Sequence, residues 1–177
     1  DDYAECATEY DERGNIVKES YFGTDGELTL CRDGYAERNA EYNEQGNLIK
    51  ESYLGTNGAA MIPLWSCYAM RTAEYDERGN QTRELYYDAA GEPICIPEGY
   101  AGWTAEYDGQ GNRIGETYLG TDGEPARTPD NYARWTAEYD AQGDEIRLSY
   151  FDTEGKPVMS SDGYAERTTE YDAHGNP

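Results

Sequence analysis

Tyrosine recurs at three fixed positions in a repeat of 32 or 33 residues, and this register constrains the fold more than any other sequence feature. Seventeen of the 18 tyrosines occupy these positions, and Tyr87 is the exception. A fixed period of this size is typical of a stacked array in which each repeat packs against its neighbours. The first position is held by Tyr3, Tyr35, Tyr68, Tyr100, Tyr132 and Tyr164, the second by Tyr10, Tyr42, Tyr75, Tyr107, Tyr139 and Tyr171, and the third by Tyr21, Tyr53, Tyr86, Tyr118 and Tyr150.

The period predicts one repeat array over residues 1–177. Its units are 1–32, 33–66, 67–98, 99–130 and 131–162, followed by a partial unit at 163–177. The second unit has one extra residue between Gly58 and Tyr68, where lengthening a loop costs little. The chain begins within a repeat and ends in a turn, so we expect a segment of a longer array.

The apolar composition predicts a thin core. Ile, Leu, Val and Phe make up only about a tenth of the chain, and the net charge is −23, a combination that usually indicates disorder. Here the tyrosines and tryptophans in register supply the apolar area, and aromatic residues favour strands. The acidic excess argues against binding to nucleic acid or anionic membranes. No run approaches the ~18 apolar residues of a membrane span.

The repeat at 99–130 has the alternation of a β-strand followed by a turn. From Tyr100 to Tyr107, alternate residues are predicted to lie on opposite faces, with Trp103 and Tyr107 on one side. On this pattern Tyr100 and Tyr107, seven residues apart, are predicted to face opposite sides.

Glycine-containing turns punctuate every repeat. A pattern of Asp or Asn, two further residues and Gly, followed by Asn or Asp, predicts a hairpin turn closed by a glycine with positive φ. The residue after each glycine is expected to open the next strand. A second turn ends at Gly26, Gly58 or Gly155, and a third break precedes the next repeat. The first turns are 11–14, 43–46, 76–79, 108–111, 140–143 and 172–175.

These signals predict an all-β fold of tandem ~32-residue antiparallel hairpin repeats that form an elongated sheet or repeat array. Each repeat is expected to hold three short strands, or a hairpin and a short linking strand. No segment keeps the 3.6-residue apolar spacing of a helix.

The run Tyr10-Asp11-Glu12-Arg13-Gly14-Asn15 and its counterpart at 75–80 resemble the tyrosine–aspartate (YD, or RHS) repeats of bacterial and teneurin-like surface and toxin proteins. That resemblance implies antiparallel hairpins in an exported or surface protein. The segment 86–91 has a weaker similarity to cell-wall-binding repeats, whose paired tryptophans are missing here. The period differs from both families, whose hairpin units are shorter.

No catalytic, cofactor or metal site is predicted. His174 occupies a variable turn position, and the four cysteines, Cys6, Cys31, Cys67 and Cys95, lie at non-equivalent places, which favours free small apolar residues over a disulfide framework. The spacing of the acids fits neither an EF-hand nor a calcium β-roll. The repeated acids Glu9, Glu41, Glu74, Glu106, Glu138 and Glu170 are interpreted as solvated residues or as cross-strand partners of Lys18, Lys50, Arg83 and Arg147.

One position remains as a candidate binding row. Two successive repeats have tryptophan there and three others have arginine. Such a row can stack on sugar rings or on a protein partner, or it can pack between repeats. The row is Arg38, Arg71, Trp103, Trp135 and Arg167.

The sequence therefore favours a non-enzymatic rigid spacer or adhesion module of a bacterial exported or surface protein. Its expected partners are a glycan or another surface protein. A carbohydrate- or cell-wall-binding module is one alternative, which requires Trp103 and Trp135 to be open to solvent. A shell segment of a toxin-delivery protein is the other.

Overall fold

The computed structural model describes residues 3–172, and every regular element among them is a β-strand. The chain divides into two compact units, Asp1–Ile96 and Pro97–Pro177. The division falls two residues before the predicted start of the fourth repeat. No helix in the described part of the chain has the length and apolar content to cross a membrane.

The first unit is an antiparallel sheet of three hairpins with strands in sequence order. Within each hairpin six residue pairs are in register, and three pairs join each hairpin to the next, as in Lys18↔Asn39, Glu19↔Arg38 and Ser20↔Glu37. Its strands are β1 Glu5–Tyr10, β2 Ile16–Phe22, β3 Glu37–Tyr42, β4 Leu48–Leu54, β5 Met70–Tyr75 and β6 Gln81–Tyr87.

The second unit repeats this architecture. Two hairpins pair in the same register, and a short fifth strand adds to the edge of β10. Its strands are β7 Gly102–Tyr107, β8 Arg113–Leu119, β9 Arg134–Tyr139, β10 Glu145–Phe151 and β11 Glu166–Thr168. The predicted all-β fold of tandem antiparallel hairpins is confirmed.

The hairpin turns owe their shape to one Asp or Asn side-chain oxygen and one glycine. In the first turn, Oδ1 of Asp11 accepts the N–H groups of Arg13 and Asn15, both at 2.9 Å, and Gly14 has a φ of 86°. The equivalent glycines 46, 79, 111 and 143 also have positive φ, as predicted. The following strand begins one residue later than predicted, because the Asn15 carbonyl accepts the Asp11 N–H and closes the loop. The turn at 172–175 and His174 lie outside the described residues.

The third segment of each repeat is shorter than a strand. It returns to the hairpin through a single bridge, such as Phe22↔Leu28, and the Thr29 N–H donates to the Tyr21 carbonyl at 2.9 Å. In four of the five complete repeats, a turn with its fourth residue at positive φ (Gly34, Gly99, Asn131 or Gly163) then leads into the next repeat. Each complete repeat thus holds two strands and a bridge, where the sequence suggested three strands or a hairpin with a linking strand.

All three tyrosine positions face one side of the sheet, which corrects the prediction that Tyr100 and Tyr107 face opposite sides. Tyr100 packs on Tyr118 with ring centroids 4.8 Å apart, and Tyr118 pairs directly with Trp103. The alternation fails because β7 begins at Gly102, so Tyr100 lies between the preceding turn and the strand. Of the three aromatic residues, only Trp103 and Tyr107 lie on β7 and follow its alternation, and the Arg113 guanidinium faces both rings.

The tyrosine rings of the first and third positions form a row that serves as the thin core. In the first unit, Tyr21 packs on Tyr3 and on Tyr35, with centroids 4.7 and 5.7 Å apart, and Tyr35 packs on Tyr53 at 5.0 Å. Tyr53 is 2% exposed. In the second repeat, Trp65 lies against Tyr53 with centroids 5.6 Å apart. These edge and tilted arrangements are the favoured ones for aromatic pairs.

Candidate functional site

The predicted Trp and Arg row lies on the tyrosine side of the sheet, which we call the ladder face. Directly paired residues in antiparallel strands point to the same side. Arg38 pairs with Tyr53, and Glu51 pairs with both Ala40 and Arg71. The row therefore shares this face with a second recurring position, a carboxylate on the return strand of the hairpin. That position is held by Glu19, Glu51, Glu84, Glu116 and Leu148.

In the first unit these two positions form a continuous ion-pair ladder across β2 to β6. Arg38 donates through Nε to Glu51 at 2.6 Å and lies 3.2 Å from Glu19. Arg71 lies 2.9 Å from the other oxygen of Glu51 and 3.0 Å from Glu84. Each arginine thus connects carboxylates on the two neighbouring strands. The Arg38–Glu19 and Arg71–Glu51 pairs each join one repeat to the preceding one.

The ladder is buried enough for its charges to depend on one another. The side chain of Glu51 is 8% exposed, and those of Arg38 and Arg71 are 18% and 28% exposed. Burial by itself disfavours the carboxylate, but the hydrogen bonds from Arg71 and Arg38 outweigh it and lower the pKa of Glu51 below its usual value. Arg38 and Arg71 are therefore occupied with internal partners.

In the second unit, tryptophan replaces arginine on both sides of Glu116. The Glu116 carboxylate instead forms its ion pair with Arg113, three residues earlier on the same strand, at 2.5 Å. The Arg113 guanidinium also lies 4.4 Å from the centroid of the Trp103 ring, a cation–π contact. One face of Trp103 is thus covered by a side chain of the same hairpin.

Burial dominates the titration of Glu116. Desolvation raises the pKa of its carboxyl above the usual value, and the attraction of Arg113 offsets only part of that effect. Two glutamates at equivalent positions, Glu51 and Glu116, therefore shift in opposite directions. The cause is the exchange of two arginines for two tryptophans.

The hairpin of β9 and β10 has no carboxylate at this recurring position. Leu148 stands there, flanked by Trp135 and Arg167. Arg167 donates to Glu145 at 2.7 Å. A surface pocket of about 240 Å³ opens at this place, lined by Tyr132, Trp135, Glu145, Leu148 and Tyr150.

The structure thus divides the five predicted residues among three environments. Arg38 and Arg71 belong to the ion-pair ladder, Trp103 packs under Arg113, and Trp135 and Arg167 lie on either side of Leu148. Both tryptophans are half-buried. The sequence reasoning missed the carboxylate position and its single replacement, although the spacing of Glu19, Glu51, Glu84 and Glu116 contains that signal.

The opposite face carries the more exposed ion pairs that the sequence predicted. Lys50 pairs with Glu41 at 3.0 Å, and Arg83 pairs with Glu74 at 3.4 Å. Arg147 pairs with Glu138 at 3.1 Å. Lys18 differs, because it pairs with Glu37 of the next repeat at 2.6 Å. The pairs of Lys50, Arg83 and Arg147, whose carboxylate partners are mostly exposed, contribute little stability.

The remaining chemically capable groups are dispersed. Among residues 3–172, no group of three or more His, Cys, Asp and Glu side chains is placed to hold a metal ion. None of the cysteines is in a disulfide, and Cys31 is the buried one, packed in the tyrosine core with Tyr35 and Tyr53.

Neither a protein-family model nor a curated protein sequence matches the chain. A chain in the crystal structure of TcdB2-TccC3-Cdc42 matches over 82% of this chain, with 16% identity and a TM-score of 0.30. This chain covers 9% of that much longer one. At such a TM-score the similarity supports no statement about shared fold or function.

Proposed function

We propose that this chain is a non-enzymatic β-repeat segment that acts as a rigid spacer or adhesion module, at the surface of a cell or outside it. The observation that carries the proposal is the ion-pair ladder, because its buried charges serve the sheet itself. Glu51 accepts from two arginines on adjacent strands, and one of these, Arg71, belongs to the next repeat. Removing one partner of such a buried pair is strongly destabilising, so these groups serve the framework and are not available to a substrate.

The proposal assigns the carboxylates a mechanical role. A repeat stack gains stability from the interfaces between neighbouring repeats. Within each of the two units, the described interfaces between hairpins have only three residue pairs in register, against six within a hairpin. Side-chain ties such as Arg38–Glu19 and Arg71–Glu51 add connections where the backbone has fewest. This is the arrangement expected of a segment that must keep its shape under load.

A pulling experiment on single molecules tests the spacer role. The 177-residue segment, held between two well-characterised marker domains, should resist extension and then unfold in steps that correspond to hairpin repeats. Arg71→Gln should lower the unfolding force, whereas Arg83→Gln, which removes a more exposed pair, should leave it nearly unchanged. Extension without resistance would contradict a spacer. If the segment hydrolysed a polysaccharide and replacing one acid in one repeat abolished that activity, the protein would be an enzyme and the proposal would be wrong.

A further inference from the structure

The hairpin of β9 and β10 is uncharged at two positions on the ladder face where every other described hairpin has a charge at one or both. Trp135 stands where three other repeats have arginine and the preceding repeat has Trp103, and Leu148 stands where four other repeats have glutamate. Trp135 pairs directly with Tyr150, and Leu148 pairs with both Ala137 and Arg167. Both replacements remove charge from neighbouring places. The ion-pair ladder is thus replaced locally by an apolar surface within a chain that is otherwise strongly polar.

The shape at this place is concave. Three aromatic rings, Tyr132, Trp135 and Tyr150, line the pocket together with Leu148 and Glu145, and its volume is about 240 Å³. Drug-sized ligands occupy pockets of about 300–1,000 Å³. The space is therefore suited to one ring or to one unit of a polymer.

The polar groups beside the pocket favour a neutral occupant. Glu145 lines the pocket, and the guanidinium of Arg167 donates to it at 2.7 Å. The pair offers carboxylate acceptors and guanidinium donors, while its charges cancel locally. An alkylammonium ligand is attracted by aromatic faces and by nearby negative charge, and Arg167 cancels the negative charge of Glu145.

From these features we propose that the pocket binds one neutral hexopyranose unit of a glycan with equatorial hydroxyl groups. Such a ring presents axial C–H groups on its faces and hydroxyls around its edge. The C–H face would stack on Trp135, and edge hydroxyls would donate to Glu145 and accept from Arg167. The proposed binding site does not depend on the spacer role, so a negative binding result leaves the spacer proposal intact.

Trp103 provides an internal comparison. It occupies the equivalent position two strands earlier in the same unit, but the Arg113 guanidinium lies 4.4 Å from its ring centroid. The equivalent of Leu148 in that repeat is the buried Glu116. A sugar ring therefore has neither a free stacking face nor an apolar wall at Trp103. The proposal predicts binding at one tryptophan of the pair.

Nuclear magnetic resonance of the indole N–H groups tests this directly, since the chain has only three tryptophans. Cellotetraose is titrated into the ¹⁵N-labelled 177-residue chain, with each indole resonance assigned from a single-tryptophan substitution. The Trp135 resonance should shift saturably with a Kd on the order of 1 mM, while the Trp103 resonance should not. Absence of a saturable shift at Trp135, or equal shifts at both tryptophans, would overturn the proposal.

Two variants restore residues that other repeats already have. Leu148→Glu and Trp135→Arg should each weaken cellotetraose binding by about tenfold or more, because each puts a charge where the pocket is apolar. Trp103→Arg is the matched control and should bind like the parent chain. Unchanged binding in both pocket variants would overturn the assignment.

Tetramethylammonium chloride serves as the rival probe on the parent chain. Saturable binding of that cation at Trp135, at concentrations where cellotetraose has no effect, would contradict a sugar site and assign the pocket to a cation. We expect saturable binding of cellotetraose at Trp135 and no saturable binding of tetramethylammonium. Dispersed amide spectra of each variant show that the fold is retained, and the parent-chain titrations decide the proposal even where a variant fails to fold.

Discussion

At the scale of single residues, the burial of a charged side chain decides how much stability is lost when its ion pair is broken. Glu51 and Glu41 lie on the same hairpin, and each pairs with a cation on an adjacent strand. The Glu51 side chain is 8% exposed and has two arginine partners, whereas that of Glu41 is 60% exposed and has one lysine. Removing one member of a buried pair leaves an uncompensated charge, whereas an exposed pair is well screened.

Glu51→Gln should therefore lower the free energy of unfolding by about 3 kcal/mol, the lower end of the range for breaking a buried pair. The lower end applies because Arg38 keeps Glu19 and Arg71 keeps Glu84 as partners. Chemical denaturation of the two variants measures this, with Glu41→Gln expected within about 0.5 kcal/mol of the parent. Equal effects of the two substitutions would show that the buried ladder contributes no more to stability than an exposed ion pair.

The opposite pKa shifts of Glu51 and Glu116 give a prediction for acid titration. The pKa of Glu51 is lowered in the folded state, so its stabilising contribution is present above its unfolded pKa and is lost as pH falls through its folded pKa. The pKa of Glu116 is raised, so its contribution is present below its unfolded pKa and is lost as pH rises through its folded pKa. Carboxyl ¹³C resonances should show Glu116 taking up its proton first on acidification. Protonation of both at the usual glutamate pKa would contradict the assigned environments.

At the scale of the structural element, the hairpin turn is the most strongly determined part of each repeat. In the turn after β7, Gly111 has a φ of 94° and open space where a Cβ would be, whereas Gly109 has ordinary φ and equally open space. Alanine at either position meets no neighbour, so the two substitutions differ only in backbone conformation. This makes the pair a measure of the turn alone.

Gly111→Ala should cost about 1–2 kcal/mol, the price of a left-handed conformation for a residue with a side chain. Gly109→Ala should be neutral or stabilising by about 0.4–1 kcal/mol, because it restricts the unfolded chain. Thermal unfolding of both variants checks the difference. A destabilisation by Gly109→Ala as large as that by Gly111→Ala would contradict the assigned turn geometry.

The sequence predicted those elements that depend on local chemistry, and it failed where long-range geometry decides. The turns follow from Asp11, Gly14 and their repeats, since the carboxylate and the glycine act within four residues. The facing of Tyr100 could not be predicted by alternation, because a turn resets the period before β7 begins. The roles of Arg38 and Trp103 depend on the return strands beside them, and strand register is fixed only in the folded sheet.

At the scale of the whole molecule, stability should be distributed over the repeats because the tyrosine core and the ladder both connect neighbours. Tyr35 shows this, since its ring packs on Tyr53 of its own repeat and on Tyr21 of the preceding one. Within the first unit, breaking the central hairpin should therefore cost more than removing the terminal one. Tyr53→Ala should lower the free energy of unfolding by about 3–5 kcal/mol, as for other buried aromatics. Denaturant titration would contradict a tyrosine core if the effect were near zero.

The central claim is that the ladder couples neighbouring repeats, and amide hydrogen exchange in Arg71→Gln tests it most directly. Arg71 lies on β5 and contacts Glu51 on β4 of the preceding repeat and Glu84 on β6 of its own. The account predicts faster exchange throughout β4, β5 and β6, with Arg83→Gln leaving protection in β4 and β5 unchanged. Loss of protection confined to β5, or an equal loss in the two variants, would contradict the coupling on which the proposed spacer depends.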